Sequence, residues 1–318
     1  MPLLRFLPEA TKINFVGLRY FAFAIDGLLL LVSIVSIAVQ GFNLGLDFTG
    51  GVLIEAKAAH VVDIGKVRSD IGTLGFKDVQ IQTIGSGECD TPKNSCVQIR
   101  VQPDAKHSDQ AAVKAVQQKL GPGYTFRRTD VVGPKVSGEL FHAGVYATLL
   151  AIVAIAIYVS VRFEWQYGIG AAVATGHDVL VTAGMFSVLH LDFTLTSIAA
   201  LLTLAGYSIN DTVVVFDRIR ENRRKYKRMP LGELINLSTN QMMTRTILTS
   251  VATATSIFPI LIWGGPTLFD FTAAILFGIV VGTFSSIYVA AMLLLYLPQP
   301  AGRIDDDTTM ADVVNGNA

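Results

Sequence analysis

HAGVYATLLAIVAIAIYVSV, residues 142–161, runs for 20 positions without Asp, Glu, Lys or Arg, between Glu139 and Arg162. A helix needs about 20 such residues to cross the roughly 30 Å hydrocarbon core of a bilayer. Five further long, mostly apolar runs have the same reach: Leu18–Val39, Gln166–Leu189, Phe193–Phe216, Arg245–Trp263 and Leu268–Leu297. The last is longer than one span needs, which tilt or a start outside the core accommodates. The expected fold is a polytopic α-helical membrane protein with six transmembrane helices. Composition agrees, since the 318 residues are 51% hydrophobic and only 16% charged, whereas soluble domains carry about a quarter charged residues. Lys and Arg together number 25, as do Asp and Glu, so net charge says nothing about nucleic acid or acidic partners; no nucleic-acid partner is expected.

The first run follows Arg5, Lys12 and Arg19, as the core of a signal peptide would. It is long for that role and no A-x-A site follows it, so an uncleaved anchor is expected. Basic residues then fix orientation. They cluster before the first span, at Arg162, and at Arg218, Arg220, Arg223, Arg224, Lys225, Lys227 and Arg228, while 190–192 and 264–267 carry none. The expected organisation is a cytoplasmic N-terminus (1–17), a first span (18–39), a periplasmic domain (40–137), a five-helix membrane region (138–298) with a basic cytoplasmic loop at 217–244, and a disordered cytoplasmic tail (299–318). Asp217 opens the basic run, where it faces the cytoplasm or pairs with Arg220 or Arg224 and solvent screens its charge.

Between about Val52 and Val132 the apolar runs shorten. Val52–Lys57, Asp78–Ile84, Cys96–Val101 and Tyr124–Val131 read as strands. Asp63–Leu74 and Ser108–Leu120 read as helices, with Asp63 and Ser108 as caps. The order βαββαβ predicts an α+β, ferredoxin-like domain. Cys89 and Cys96, the only cysteines, sit between the middle strands. An oxidising compartment would allow a disulfide there; two free thiols are the alternative. Two cysteines without a nearby histidine pair do not complete a metal site. His60 and His107 stand alone, so the domain reads as a binding or leverage module, with no enzymatic activity and no cofactor expected.

Ionisable groups at membrane depth are functional candidates by default. Asp211 comes first, about five residues before the end of the fourth run, with Thr203 and Tyr207 on its helix face and Asn210 flanking it. Low dielectric penalises a charge there and a neighbouring cation offsets the penalty, which suits a proton relay. Arg245 opens the fifth run, and Arg245, Thr249, Thr253 and Ser256 follow at helical spacing. An Asp211–Arg245 pair broken by proton uptake is expected; an arginine snorkelling to the headgroups is the alternative. His177 and Asp178, in mid-span, either extend this polar network or satisfy each other. Asp26, deep in the first span, has no local partner and no assignment. Gly278 and Gly282 form a small-xxx-small packing pattern.

Two motifs join these residues: GLDFTGG at 45–51 and GYSINDTVVVFDRIREN at 206–222. With Arg162–Trp165, His177-Asp178-Val179 and Arg245–Ser250, they resemble the SecF subunits of the bacterial SecD–SecF protein-export factor, in the resistance–nodulation–division superfamily. The resemblance runs from about Asn14 to Leu297. It implies an inner-membrane subunit that uses the proton-motive force to promote preprotein translocation and periplasmic release after the ATP-driven step. The partners it implies are a SecD-type subunit, the SecYEG channel with the SecA ATPase, a YajC-type accessory protein, unfolded preprotein and membrane lipid. The family's essential carboxylate carries over onto Asp211 and its essential arginine onto Arg245. Gly45, Asp47, Gly50 and Gly51 carry the glycine motif, read as a tight turn that Asp47 caps or bonds and that positions the first strand against the membrane; a direct substrate contact is the alternative. A small-molecule or lipid exporter of the same superfamily, or a scaffold without energy transduction, are the competing readings.

Overall fold

The computed structural model describes residues 11–76, 78–84, 89, 95–103 and 108–298. The expectations for Arg5, His107 and the tail at 299–318 lie outside the described residues.

Helix α1 (Phe15–Gln40) begins three residues earlier than Leu18 because Asn14 caps it, its side chain accepting from the Gly17 N–H. A two-residue strand β1 (Asn43–Leu44) and a single turn α2 (Leu46–Thr49) then lead into the inserted domain. Its elements are β2 (Gly51–Ala58), α3 (Ile64–Gly72), β3 (Asp78–Ile84), β4 (Cys96–Gln102), α4 (Asp109–Leu120) and β5 (Tyr124–Val132). The four strands form one antiparallel sheet in the order β3-β4-β2-β5. Asp63 and Ser108 do cap the two helices, each accepting from first-turn N–H groups.

Strand alternation builds the domain core. Val52, Ile54 and Ala56 of β2, Val97, Ile99 and Val101 of β4 and Ile81 of β3 point to one face. There Val67 and Ile71 of α3 and Ala112 and Val116 of α4 cover them. The other face carries Glu55, Gln98, Arg100 and Arg128 and opens on a cleft of about 900 Å³ against the membrane region. β5 bulges opposite Glu55 and Ala56. Cys89 and Cys96 are joined by a disulfide, and Arg127 reaches the Cys89 sulfur at 3.2 Å.

The remaining helices are α5 (Pro134–Arg162), α6 (Trp165–Val188), α7 (Leu195–Lys225), α8 (Leu231–Trp263) and α9 (Pro266–Ser285), with a strand β6 (Asp192–Phe193) before α7. A π turn over Ser286–Ala290 and a last short helix α10 (Ala291–Leu293) continue α9. Among the described residues, six helices are long and apolar enough to cross a membrane, and the chain is a polytopic helical membrane protein. α6 lies at the centre, packed on α1, α5, α7 and α9, while α5 and α8 expose most of their apolar surface. That exposure is what lipid or a second subunit covers.

The basic segment 217–244 is not a loop. α7 runs on to Lys225 and α8 starts at Leu231, leaving only 226–230 between them. Leu234, Ile235, Ser238 and Thr239 are buried, so this stretch is an amphipathic helix beyond the apolar span. It is held by Asn222 donating to Ser238 at 2.9 Å and Arg218 donating to Gln241 at 2.7 Å. Asn236 and Asn240 bond the backbone at Ile13 and Val16.

Candidate functional site

Two apolar clusters fill the bundle. One gathers Phe48, Phe186, Phe193, Ile198, Leu201 and Ile275 at the end that bears the domain. The other gathers Phe15, Phe163, Tyr167, Phe216, Ile219 and Leu234 at the basic end. Between them, on every central helix, lies a polar belt. α6 contributes Thr175, His177 and Asp178, α7 contributes Ser208, Asp211 and Thr212, and the last span contributes Ser285 and Ser286, all buried. Thr283 joins it partly buried. Neither lipid nor the apolar clusters can satisfy polar groups in such a belt, so each bonds a neighbour within it or stands unpaired among the described residues, as the Thr175 and Thr212 hydroxyls do.

Asp211 sits in this belt, only 3% exposed. It is 16 residues from the first residue of α7 and 14 from the last, the last turns of that helix being its basic extension beyond the apolar run. The Ser250 hydroxyl approaches its Oδ2 at 3.5 Å. Tyr207 donates to Ser250 at 3.3 Å, and Ser250 and Thr283 lie 2.7 Å apart. Thr283 gives its proton to the Ile279 carbonyl, so Ser250 has one proton and two acceptors for it, Thr283 and Asp211. At 3.5 Å the carboxylate holds the weaker claim.

The expected Asp211–Arg245 ion pair is not formed. Arg245 is exposed and lines an outer crevice with Tyr158, Asp217, Arg218 and Glu221. The arginine instead lines that crevice, on the basic side of the belt. Thr249 spends its hydroxyl on the Arg245 and Thr246 carbonyls. Of the expected Asp211 face, Tyr207 joins the network through Ser250, but Thr203 turns outward and bonds the Ala199 carbonyl. Asn210 is exposed, on the outer surface of α7. Ser250 and Thr283 were missed. Ser250 is one residue from Thr249, a helical phase that the sequence stripe does not resolve, and Thr283 lies one residue past the Gly282 of the packing motif.

His177 and Asp178 make a second network in the same belt. Asp178 accepts from Ser208 at 2.5 Å and from Ser285 at 2.8 Å, and its Oδ1 meets His177 Nδ1 at 3.0 Å. Gly282 allows this approach, since a Cβ there would stand 3.3–3.4 Å from Ser208 and Asp178. Asp26 faces the same imidazole from α1, with His177 Nε2 at 3.7 Å from its Oδ1.

The glycine motif works at the other end. Gly50 and Gly51 take φ of 68° and 114°, a region that favours glycine, and a Cβ on Gly51 would strike the Val101 carbonyl at 2.5 Å. Asp47 does not cap its own turn. Its Oδ2 accepts from the Leu195 N–H at 2.9 Å, at the start of α7, where a carboxylate complements the helix dipole. β1 pairs β6 in parallel, Asn43 with Asp192 and Leu44 with Phe193. Arg100 of the domain reaches Asp192 at 3.0 Å and the Leu44 carbonyl at 3.4 Å. The domain's base thus grips the first turn of the helix that carries Asp211.

Comparison with known proteins bears on this arrangement. The family described as "Protein export membrane protein SecD/SecF, C-terminal" matches residues 112–299, and the "SecD/SecF GG Motif" matches 35–59. A protein translocase subunit SecF from Rhodobacter capsulatus is 40% identical over 304 residues, covering 92% of this chain and 91% of that one. Another from Cereibacter sphaeroides is 40% identical over 309 residues, 96% of this chain and 95% of its own length. The crystal structure of SecDF, a translocon-associated membrane protein from Thermus thermophilus, superposes with a TM-score of 0.81 at 35% identity. It covers 91% of this chain, which spans only 39% of that longer polypeptide. A full-length match to SecF subunits, a shared glycine motif and a common membrane fold lead to one conclusion: the chain belongs to the SecD/SecF family of protein-export membrane proteins, as a SecF-type member.

Proposed function

We propose that this chain works with a SecD-type subunit in the bacterial inner membrane, using the proton-motive force to promote preprotein translocation and release after the ATP-driven step. The N- and C-termini face the cytoplasm, and the inserted domain is a periplasmic, ferredoxin-like module; the sheet order β3-β4-β2-β5 with both helices on one face supports that class. It serves as a lever or binding surface and not as a catalyst. The SecYEG channel with SecA, a YajC-type protein and unfolded preprotein are its partners in this reading.

One observation carries the proposal. α7 holds Asp211 in the polar belt, and its first turn is bonded to the domain's base through Asp47. Protonation of Asp211 weakens its claim on the Ser250 hydroxyl, and a shift of α7 reaches the domain along about 24 Å of helix. Arg245 supplies the cationic field at the basic side without contact. One charge crossing 100 mV releases about 2.3 kcal/mol, enough to change a two-state population about fiftyfold. The SecD-type partner is supported by the outer face of α7, where Asn210 and Thr203 are exposed. An amide facing hydrocarbon is costly, and a second six-helix half would cover it.

The test is Asp211→Asn, reconstituted with the SecD-type subunit and the channel in proteoliposomes, with a proton gradient imposed after ATP is removed. Loss of the gradient-dependent completion of translocation is expected, with ATP-driven initiation retained. Unchanged completion would leave the chain a scaffold.

A further inference from the structure

Asp26, His177 and Asp178 lie in the belt apart from Asp211. Asp178 accepts from Ser208 and Ser285 on Oδ2, and its Oδ1 meets His177 Nδ1 at 3.0 Å. With both hydroxyls on its Oδ2, Asp178 presents Oδ1 as the acceptor to His177 Nδ1, which places the first imidazole proton there. The other ring nitrogen, Nε2, then faces Asp26. The side chains are 7% and 6% exposed, and the gap is 3.7 Å, beyond a hydrogen bond. Among the described residues, neither Asp26 oxygen nor His177 Nε2 has a hydrogen-bond partner. Buried polar atoms left this way need an explanation.

We propose that Asp26 Oδ1 and His177 Nε2 form a proton-binding site, separate from Asp211, that takes one proton between them and controls the contact of α1 with α6. With the proton present, either a carboxylic acid donates to Nε2 or a carboxylate accepts from an imidazolium, and the triad carries one negative charge. Without it, a carboxylate faces a lone pair and the buried triad carries two. The proton joins one O or N lone pair, so no other bond breaks. Its uptake draws the helices together and its release pushes them apart. α1 is the helix whose C-terminal end leads through β1 and α2 into the inserted domain, so the site acts on the domain's first tether while Asp211 acts on α7.

The surroundings leave the pair to itself. On α1 the buried stripe is Phe15, Ala22, Asp26, Ser33 and Ser36, with Asp26 its one ionisable member. α7 contributes Ser208, and its Asp211 is turned to Ser250 of α8. The last span contributes Ser285, with Asp270 far off beside Asp192. α5 carries no Asp, Glu, Lys, Arg or His between His142 and Arg162. α8 meets the chain at the start of α1 through Asn236.

The experiment is a pH titration of the full chain in lipid nanodiscs, followed by the ¹⁵N signals of labelled histidine, with His177 assigned by comparison with His177→Gln. In the wild type His177 Nε2 is expected to change state between about pH 5 and pH 9. Asp26→Asn displaces the midpoint by about one pH unit or more, and Asp211→Asn leaves it in place. An imidazole that keeps one state throughout, or a midpoint untouched by Asp26→Asn, overturns the proposal. The wild-type arm decides even if the Asp26→Asn chain fails to fold. Because nothing here depends on export, failure of this site and failure of Asp211 as the coupling carboxylate are read separately.

Discussion

At the scale of the residue, the belt is governed by how many protons its hydroxyls can give. Ser250 stands between Tyr207, Thr283 and Asp211 with one proton. Ser250→Ala removes the hydroxyl that approaches Asp211 and leaves the Tyr207 hydroxyl without its acceptor. A buried group stripped of its partner costs about 1–3 kcal/mol. Thermal unfolding in detergent should therefore fall for Ser250→Ala, and the pH at which gradient-driven export is half-maximal should move. Ser250→Thr, which keeps the hydroxyl, should restore both; an alanine variant with wild-type stability and pH response would contradict this role. Asp211, Tyr207, His177 and Asp178 were legible because an ionisable or hydroxyl side chain in an apolar run declares itself. Ser250 and Thr283 were not, because small hydroxyl residues in membrane helices commonly bond their own backbone, as Thr203, Thr255 and Thr253 do here.

At the scale of the element, the six spans could be read from apolar length alone, and the order of strands and helices in the domain from periodicity and caps. What hydropathy could not give was where helices continue past the bilayer. α7 and α8 carry their packing into 217–244 through a narrow buried stripe, which charge counting reads as loop. Two-residue strands such as β1 and β6 have no periodicity to detect, and Asp47 finds its partner 148 residues away. The seam of α1 on α6 depends on small residues. A Cβ on Gly184 would lie 2.2 Å from the Ser33 side chain, while Ser36 and Ser187 bond across the seam at 2.8 Å. Gly184→Ala should cost about 1–3 kcal/mol of stability through overpacking, read as a lower unfolding temperature. Ser33→Gly in the same chain should recover part of it; no loss from Gly184→Ala would mean that the two helices do not approach this closely.

At the scale of the whole molecule, an apolar cluster at each end of the bundle encloses one polar layer, and two helices lead from that layer to the domain. α1 enters it covalently. α7 is held to it by Asp47, by the β1–β6 pairing and by the Arg100–Asp192 ion pair. Movement of either helix must strain or relax the same small junction, because packed helices shift as rigid units. The central claim, that proton binding at Asp211 is felt by the domain through α7, is tested most directly by hydrogen exchange at that junction. The full chain with its SecD-type partner is placed in proteoliposomes, and the backbone amides of 43–45 and 192–195 are followed with and without an imposed proton gradient. The gradient should change their exchange at least severalfold in the wild type and leave it unaltered in Asp211→Asn. An equal response in both chains, or none in the wild type, would contradict the account.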